Sequence, residues 1–454
     1  MNLRRVRELI PLFDRSRLRD AVSTTGLSLA GKSAGFLVPF FIASWFGVSP
    51  ATDAFFFAYG AILFLAGIFG PVLEVIVPYI AESRRRGDNL AGFMSRLLGT
   101  GTVIFGSGMA CFLLAATLLV PHITQFSVEG TALTCRLLFE VSPLAVLLFW
   151  TSILSGYLNA HKRFALPALS PAVRASVNLC FIFLLKARFG VHALVLGYIA
   201  GESVRLFVLA LAVAINSPFR FRPALRLDQR LREFYRTSFY SVIAMIWVLA
   251  NQLVDNTMAS WLVPGSVSVL QYAGNLYMIP LSLFSGGIVT VLLAHWSESY
   301  CGSCGAEFQR DVGRSVWSAF WLTLPATIIL ILLSQPASRL LLGHGVFEQT
   351  NIDMVARVWT GYLVGFPLQA MALLYVKALL VLKRTKVLMW GAFYAVFLNV
   401  LGNALLMQWF GAVGIALATS GTAAFSTFYF WRSLRSAFAE QAGSPGGNDG
   451  NPMR

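Results

Sequence analysis

A few charged and amide side chains interrupt stretches otherwise built from Leu, Ala, Val, Phe and Gly, and their types and spacings limit the chemistry available. Lys32 completes Gly26-Leu-Ser-Leu-Ala-Gly-Lys-Ser33, the spacing of a phosphate-cradling P-loop, and the overlapping Gly31-Lys-Ser-Ala-Gly35 has the spacing of a nucleophile elbow. Arg174 follows Pro167, Ser170 and Pro171, and a guanidinium there could grip phosphate oxygens bidentately. Glu202 and Arg205 are three apart, and Arg136 and Glu140 four apart, so each pair shares a helix face and reads as an internal ion pair, with Arg205 also available to an anionic ligand. Asp53 follows Thr52 at the start of an apolar run, where a carboxylate can cap the helix and meet its positive end. Glu74 and Asp255 are isolated acids, either of which could face a cation or hold a coupling ion. Asn251, Gln252 and Asn275 offer hydrogen bonds suited to a sugar or to an interhelical contact. Cys301-Gly-Ser-Cys304 has CxxC spacing without a second pair or a His cluster, so a chance pair is expected and neither metal nor cofactor is.

The medium around these residues decides among the readings. Hydrophobic residues make up 57% and charged residues 12% of the 454 positions, and the mean hydropathy is +0.70. A soluble domain carries roughly a quarter charged residues. The apolar residues come in runs of about 20 or more, enough to cross a hydrocarbon core as helix, and in that core the backbone must bond to itself. Twelve such spans are predicted: 21–47, 53–80, 97–121, 131–158, 164–186, 191–216, 238–262, 267–295, 315–341, 353–381, 387–409 and 412–434. The fold class is therefore an all-α polytopic membrane protein. The P-loop and elbow patterns both need a strand–turn–helix in a soluble α/β domain, and both fall inside the first span, so both are coincidences. Lys32 keeps its interest for another reason. It lies about 16 Å into that span, at 1.5 Å per residue, and a buried charge costs at least ~2.5–3.5 kcal/mol on insertion scales, so it marks a functional position.

Basic residues assign the orientation. With a cytoplasmic N-terminus, Arg4 to Arg19, Arg84 to Arg86, Lys162, Arg163, Arg220 to Arg236, Lys383, Arg384, Lys386, Arg432 and Arg435 share one side, whereas only Lys186, Arg188 and Arg339 lie on the other. Both termini are then cytoplasmic. The net charge of +15 is a topology signal, available also to anionic phospholipid headgroups at the cytoplasmic face. Its scatter over separate loops argues against nucleic acid. The first 20 residues are polar and Arg-rich, and the apolar stretch after them is too long for the core of a cleavable signal.

The chain carries an internal echo at an offset of 216. Ala43-Ser-Trp45 meets Ala259-Ser-Trp261, Leu65 meets Leu281, Gly70 meets Gly286, Val75 meets Val291, and Glu82-Ser83 meets Glu298-Ser299. Six spans per repeat make the copies parallel, related by an axis along the membrane normal. The expected organisation is a basic N-terminal segment 1–20, a six-helix bundle 21–216, a basic cytoplasmic linker 217–237, a second six-helix bundle 238–437 and a disordered tail 438–454.

The stretch Phe46-Gly-Val-Ser-Pro-Ala-Thr-Asp-Ala-Phe-Phe56, with Val77-Pro-Tyr-Ile-Ala-Glu82 closing the same span, resembles the MurJ/MviN family, the lipid II flippases of the multidrug/oligosaccharidyl-lipid/polysaccharide (MOP) superfamily. Two further patches resemble the family's eighth and ninth helices: Gly265-Ser-Val-Ser268 with Tyr272-Ala273 and Pro280, and Leu324-Pro325 through Leu333-Ser-Gln-Pro336 to Gly345 and Phe347. The resemblance implies a MOP-type fold of two bundles working by alternating access. Family members of this kind line their cavity with arginines because the cargo carries a pyrophosphate. Of the two first-helix arginine positions, one is Lys32 here and the other Val38, followed by Pro39. The second-helix arginine pair is Ala66-Gly67, and the eighth-helix Asp-Arg pair is Gly274-Asn275. The family's thirteenth and fourteenth helices are not expected. These departures point away from lipid II itself, toward a relative that moves another lipid-linked saccharide such as an exopolysaccharide repeat unit.

Three classes of function remain to be compared. A carrier for polyprenyl-pyrophosphate-linked sugars would use Lys32, Arg174, Arg205, Asn251 and Asn275 toward the cargo, with Asp53, Glu74 and Asp255 as coupling or structural acids. A cation-coupled multidrug exporter of the same superfamily would want the acids and not the cations. A membrane enzyme would need a catalytic cluster, yet His122, His161, His192, His295 and His344 are dispersed and no HExxH occurs. The carrier is expected, as a monomer in a bacterial inner membrane.

Overall fold

The computed structural model describes residues 31, 34–68, 70, 90–161, 163–216, 224–225, 227–289, 292, 296, 305–382 and 384–442. Lys32, Glu74, the arginines at 84–86, the 217–223 part of the linker, the Cys301–Cys304 pair and the tail beyond 442 lie outside them. Helices dominate, and no strand occurs among the described residues. In chain order they are α1 (Ala34–Phe46), α2 (Pro50–Ile68), α3 (Leu90–Ile123), α4 (Val128–Ala160), α5 (Ala165–Phe189), α6 (His192–Asn216), α7 (Gln229–Ala259), α8 (Ser266–Phe284, running on as a π-turn Ser285–Val289), α9 (Gly305–Leu342), α10 (Gln349–Val364), α11 (Phe366–Val381), α12 (Thr385–Phe410) and α13 (Ala412–Ala442).

Among the described residues eight helices are long and apolar enough to cross a membrane, nine if α10 and α11 count as one bent span. The other three expected spans fall on α1, α7 and α8. Side chains such as Leu118 and Leu332, 71% and 74% exposed, would form costly patches in water and are at home against lipid. The expected span 353–381, long enough to admit a kink, is bent by 46° between α10 and α11. Pro367 follows the break and cannot donate a backbone hydrogen bond. Gly365 N–H donates to Ser420 Oγ at 3.0 Å, and that hydroxyl donates to the Gly361 carbonyl at 2.6 Å. A Cβ on Gly365 would stand 2.6 Å from Ser420 Cα, so α13 splices the break at close range.

The chain divides into two compact units that are discontinuous in sequence: 1–42, 61–120 and 132–242 form unit one, and 43–60, 121–131 and 243–454 form unit two. In unit one, α5 and α6 are a tight hairpin. Gly190 turns the chain with φ 52°, and Gly197 and Gly201 form a Gly-x-x-x-Gly stripe that lets α5 approach. A Cβ at Gly201 would lie 2.6 Å from the Arg174 carbonyl oxygen, and one at Gly197 would lie 2.7 Å from Asn178 Oδ1. The end of the linker is laced to α3. Ala224 N–H donates to the Ser95 carbonyl at 3.2 Å, and Asp228 both caps α7 at Leu231 N–H (2.9 Å) and pairs with Arg96 (2.9 Å). The Thr100 and Tyr235 hydroxyls meet at 2.8 Å. Gly99 makes this crossing possible, since its Cβ would lie 2.6 Å from the Ala224 carbonyl oxygen. Gly99→Val is therefore expected to lower the thermal unfolding midpoint in detergent by displacing this segment, at a cost of about 1–3 kcal/mol for overpacking; an unchanged midpoint would contradict the crossing.

In unit two, four turns gather at one end: those between α1 and α2, α3 and α4, α7 and α8, and α9 and α10. Val346 N–H donates to the Ser44 carbonyl at 3.0 Å, Tyr272 OH donates to the Gly47 carbonyl at 3.0 Å, and Trp261 Nε1–H donates to the Ile123 carbonyl at 2.7 Å. Gly345 has φ 72° and lies so close to Ser44 that a Cβ would overlap the Ser44 carbonyl, so any side chain there is excluded by space as well as by conformation. Phe56 and Phe347 flank Tyr272 edge-on, with ring centroids at 5.3 and 5.5 Å.

Candidate functional site

Three constellations of polar side chains sit on these helices, one in unit one and two in unit two. The first surrounds Glu202, whose side chain has 0% exposure on α6. The expected Glu202–Arg205 pair forms, with Arg205 NH1 3.1 Å from Oε1. Two further groups join it that spacing did not suggest. Thr151 Oγ1 on α4 donates to Glu202 Oε1 at 2.6 Å, and Arg174 NH1 on α5 stands 3.5 Å from Oε2. Arg205 Nε also donates to Ser170 Oγ at 3.0 Å. Arg174 lies on the arc of α5 that carries the buried Ser170, Ala175, Asn178 and Ile182, away from the exposed Leu169, Val173 and Leu184. Two guanidiniums thus share one buried carboxylate. Among the described residues Glu202 is the acid paired with both, so those three side chains together carry one excess positive charge.

The second constellation is built on Asp53. Sequence reasoning assigned this carboxylate to the N-terminus of its own helix, and the structure corrects that. The start of α2 is closed by a reciprocal Ser49–Thr52 box, Thr52 N–H to Ser49 Oγ at 3.2 Å and Ser49 N–H to Thr52 Oγ1 at 2.9 Å. Asp53 is thereby released to cap α8. It accepts from Gly265 N–H at 2.5 Å, Ser268 N–H at 2.7 Å and the Ser268 hydroxyl at 2.6 Å. The Ser268 hydroxyl also lies 2.8 Å from Thr52 Oγ1, a partner 216 positions away, and the ring pair Phe56–Tyr272 has the same separation. That separation is the offset of the sequence echo.

The third constellation surrounds the buried Asp255 on α7. Asn403 Nδ2 donates to its Oδ1 at 2.7 Å and to Asn399 Oδ1 at 3.1 Å, and Thr419 Oγ1 lies 3.4 Å from its Oδ2. Among the described residues its partners are neutral amides and a hydroxyl. Asn251 precedes it by one turn and hence shares its face, and the Oδ1 atoms of Asn251 and Asn403 are buried without a hydrogen-bond partner among the described residues. The site is a carboxylate with spare amide oxygens, the donor set of a hard cation or a proton. No three His, Cys, Asp or Glu side chains gather as a metal centre among the described residues.

Of the other candidates, Asn275 is half-buried on α8 and joins none of these clusters. The Arg136–Glu140 pair forms at 2.8 Å and recruits His192 Nδ1, 2.6 Å from Glu140 Oε2. Lys32 and Glu74 are outside the described residues, although Gly31, next to Lys32, packs directly on the Ala168 carbonyl of α5. Sequence reasoning missed Thr151, Asn399, Asn403 and Thr419. The two asparagines four apart inside an apolar span were a usable signal; a single threonine in such a span was not, because it can satisfy itself on the preceding turn.

Comparison with known proteins agrees with this architecture. The family model for lipid II flippase MurJ matches residues 42–444. A probable lipid II flippase MurJ from Thermotoga maritima is 27% identical over 393 residues, covering 85% of this chain and 79% of the relative. The lipid II flippase MurJ of Thermosipho africanus is 24% identical over 396 residues, covering 87% and 80%. A solved lipid II flippase MurJ in an inward closed conformation superposes with a TM-score of 0.78 at 22% identity, over 92% of this chain and 89% of that one. An inward-facing MATE transporter of the MOP superfamily superposes with 0.76 at 13% identity, over 94% and 100%. Both superpositions speak for the fold, and the family match spans most of the chain: this protein belongs to the lipid II flippase MurJ family.

Proposed function

We propose that the protein is a flippase that carries a polyprenyl-pyrophosphate-linked saccharide of the lipid II type from the cytoplasmic to the periplasmic leaflet of a bacterial inner membrane by alternating access. The observation that carries this reading is the excess cation at Arg174 and Arg205, held inside a membrane-crossing helix pair around a single buried acid. A pyrophosphate diester is a dianion that cannot enter hydrocarbon unaided, and guanidinium forks supply compensating charge with matching geometry. Lys32 adds a cation to the same purpose, on the sequence grounds given above, and Asn251 and Asn275 are assigned to sugar contacts or helix packing. Asp255, with its spare amide oxygens, is assigned to a coupling cation or proton. The working arrangement is monomeric, with duplicated halves 21–216 and 238–437, both termini cytoplasmic and anionic lipids at the basic face.

The exopolysaccharide cargo expected from the missing arginines has no support from the relatives named above, one named a lipid II flippase and the other a probable one, and lipid II-type cargo takes precedence here. Purified protein in liposomes should flip labelled lipid II, and the assay should include a polyprenyl-pyrophosphate exopolysaccharide unit as second cargo. Flipping is expected to depend on an ion gradient or membrane potential, and Asp255→Asn to remove the ion dependence. Flipping of neither cargo would refute the assignment, and an ion dependence unchanged in Asp255→Asn would remove the coupling role.

A further inference from the structure

The arginine cluster is asymmetric, and the asymmetry bears on how an anion could leave it. Arg205 is held twice, through NH1 to Glu202 Oε1 at 3.1 Å and through Nε to Ser170 Oγ at 3.0 Å, and its side chain is 14% exposed. Among the described residues Arg174 is held once, through NH1 at 3.5 Å from Glu202 Oε2, with 31% exposure. Charge-assisted N–H to oxygen bonds normally close to about 2.7–2.9 Å, so this contact is slack. The backbone of Arg174 has no such freedom, since Gly201 packs against its carbonyl. The movable part is the guanidinium alone. Glu202 is the opposite case: 0% exposed, with the Thr151 hydroxyl on Oε1 at 2.6 Å, it cannot follow a departing arginine.

We propose that Glu202 is a displaceable internal counter-anion: in the empty protein it holds the place at Arg174 and Arg205 that cargo phosphate oxygens take, and Arg174 is the arm that exchanges one partner for the other. The proposal rests on reading this cluster as the anion site of the cargo. Without Glu202 the empty site would hold two unpaired buried cations, which is costly. With both arginines engaged by a dianion, the anchored carboxylate faces like charge at short range. It therefore weakens the bound state and recaptures Arg174 as cargo departs. Binding must be firm enough to load and weak enough to release, and a tethered competitor sets that balance. Glu202 is in this sense a positioning residue that does not itself touch cargo.

The test uses full-length protein in detergent with inorganic pyrophosphate as the probe, and proteoliposomes for flipping of labelled lipid II. Glu202→Gln keeps the shape and the Thr151 contact while removing the charge. It is expected to bind pyrophosphate about tenfold tighter or more, to release it more slowly and to flip more slowly, a gain in affinity with a loss of turnover that a merely structural role would not produce. Because the single variant leaves two unpaired arginines and could fail to fold, the charge-balanced pair Glu202→Gln with Arg205→Gln is compared with Arg205→Gln alone, and the pair should bind more tightly. Equal or weaker affinity in both comparisons overturns the counter-anion role. If Arg174→Gln and Arg205→Gln bind pyrophosphate like the natural protein, the cargo-site reading itself falls and the inference with it. If they lose binding while removal of the Glu202 charge gains none, the inference alone is wrong.

Discussion

Asp53→Ala is expected to lower the thermal unfolding midpoint sharply and to reduce flipping at least tenfold. The carboxylate accepts three hydrogen bonds in a buried setting, from Gly265 N–H, Ser268 N–H and the Ser268 hydroxyl. Alanine strands the two backbone donors at the start of α8, and each unsatisfied buried donor costs about 1–3 kcal/mol. Water cannot readily replace them, because Phe56, Tyr272 and Phe347 pack around the same turn. Ser49 and Thr52 still close α2, so the damage should be felt at the far side of the contact, in α8. Hydrogen–deuterium exchange gives the decisive readout: amides at the start of α8 should lose protection while those at the start of α2 keep theirs. Faster exchange in α2 alone would return Asp53 to a local cap. Asp53→Asn should be intermediate, because the amide keeps one acceptor oxygen and turns donors toward donors.

Arg205→Gln is expected to be nearly as damaging, for an electrostatic reason. It removes the closer of the two guanidiniums on a carboxylate that has no exposure to water, leaving Glu202 with Thr151 and the slack Arg174 contact. Breaking a buried pair by removing one partner costs about 3–5 kcal/mol, chiefly because the remaining charge is stranded. Adding Glu202→Gln should recover most of that stability, and a double-mutant cycle on unfolding midpoints would measure the coupling. Flipping should not recover with it, since the cargo loses a guanidinium either way. Recovery of transport along with stability would make Arg205 a structural residue only. Absence of any stability coupling would mean that the pair at 3.1 Å contributes little to the fold.

The parts of this protein legible in one dimension are those set by short spacings. Glu202 and Arg205 share a face because a helix repeats every 3.6 residues, and they do pair. Asp53 illustrates the limit. Its position at the start of an apolar run marks it as a capping residue, but which helix it caps depends on a residue more than two hundred positions away. Asp255 is the same case, since Asn403 and Thr419 reach it across separations of 148 and 164. The break at Gly365 was hidden because mean hydropathy is insensitive to one glycine and one proline, although Pro367 was in plain view.

What the sequence alone determined is the membrane-spanning helical class, the family, and the set of charges too costly to sit in hydrocarbon without purpose. Each of these follows from local composition and from the backbone's need to satisfy its own hydrogen bonds out of water. Which charges meet was left to the tertiary structure. Arg174 joins Glu202 only because Gly197 and Gly201 draw α5 onto α6, and Thr52 meets Ser268 across 216 positions only because the turns before α2 and α8 pack together. Close packing of distant segments carries that information, and no pattern of neighbouring residues encodes it.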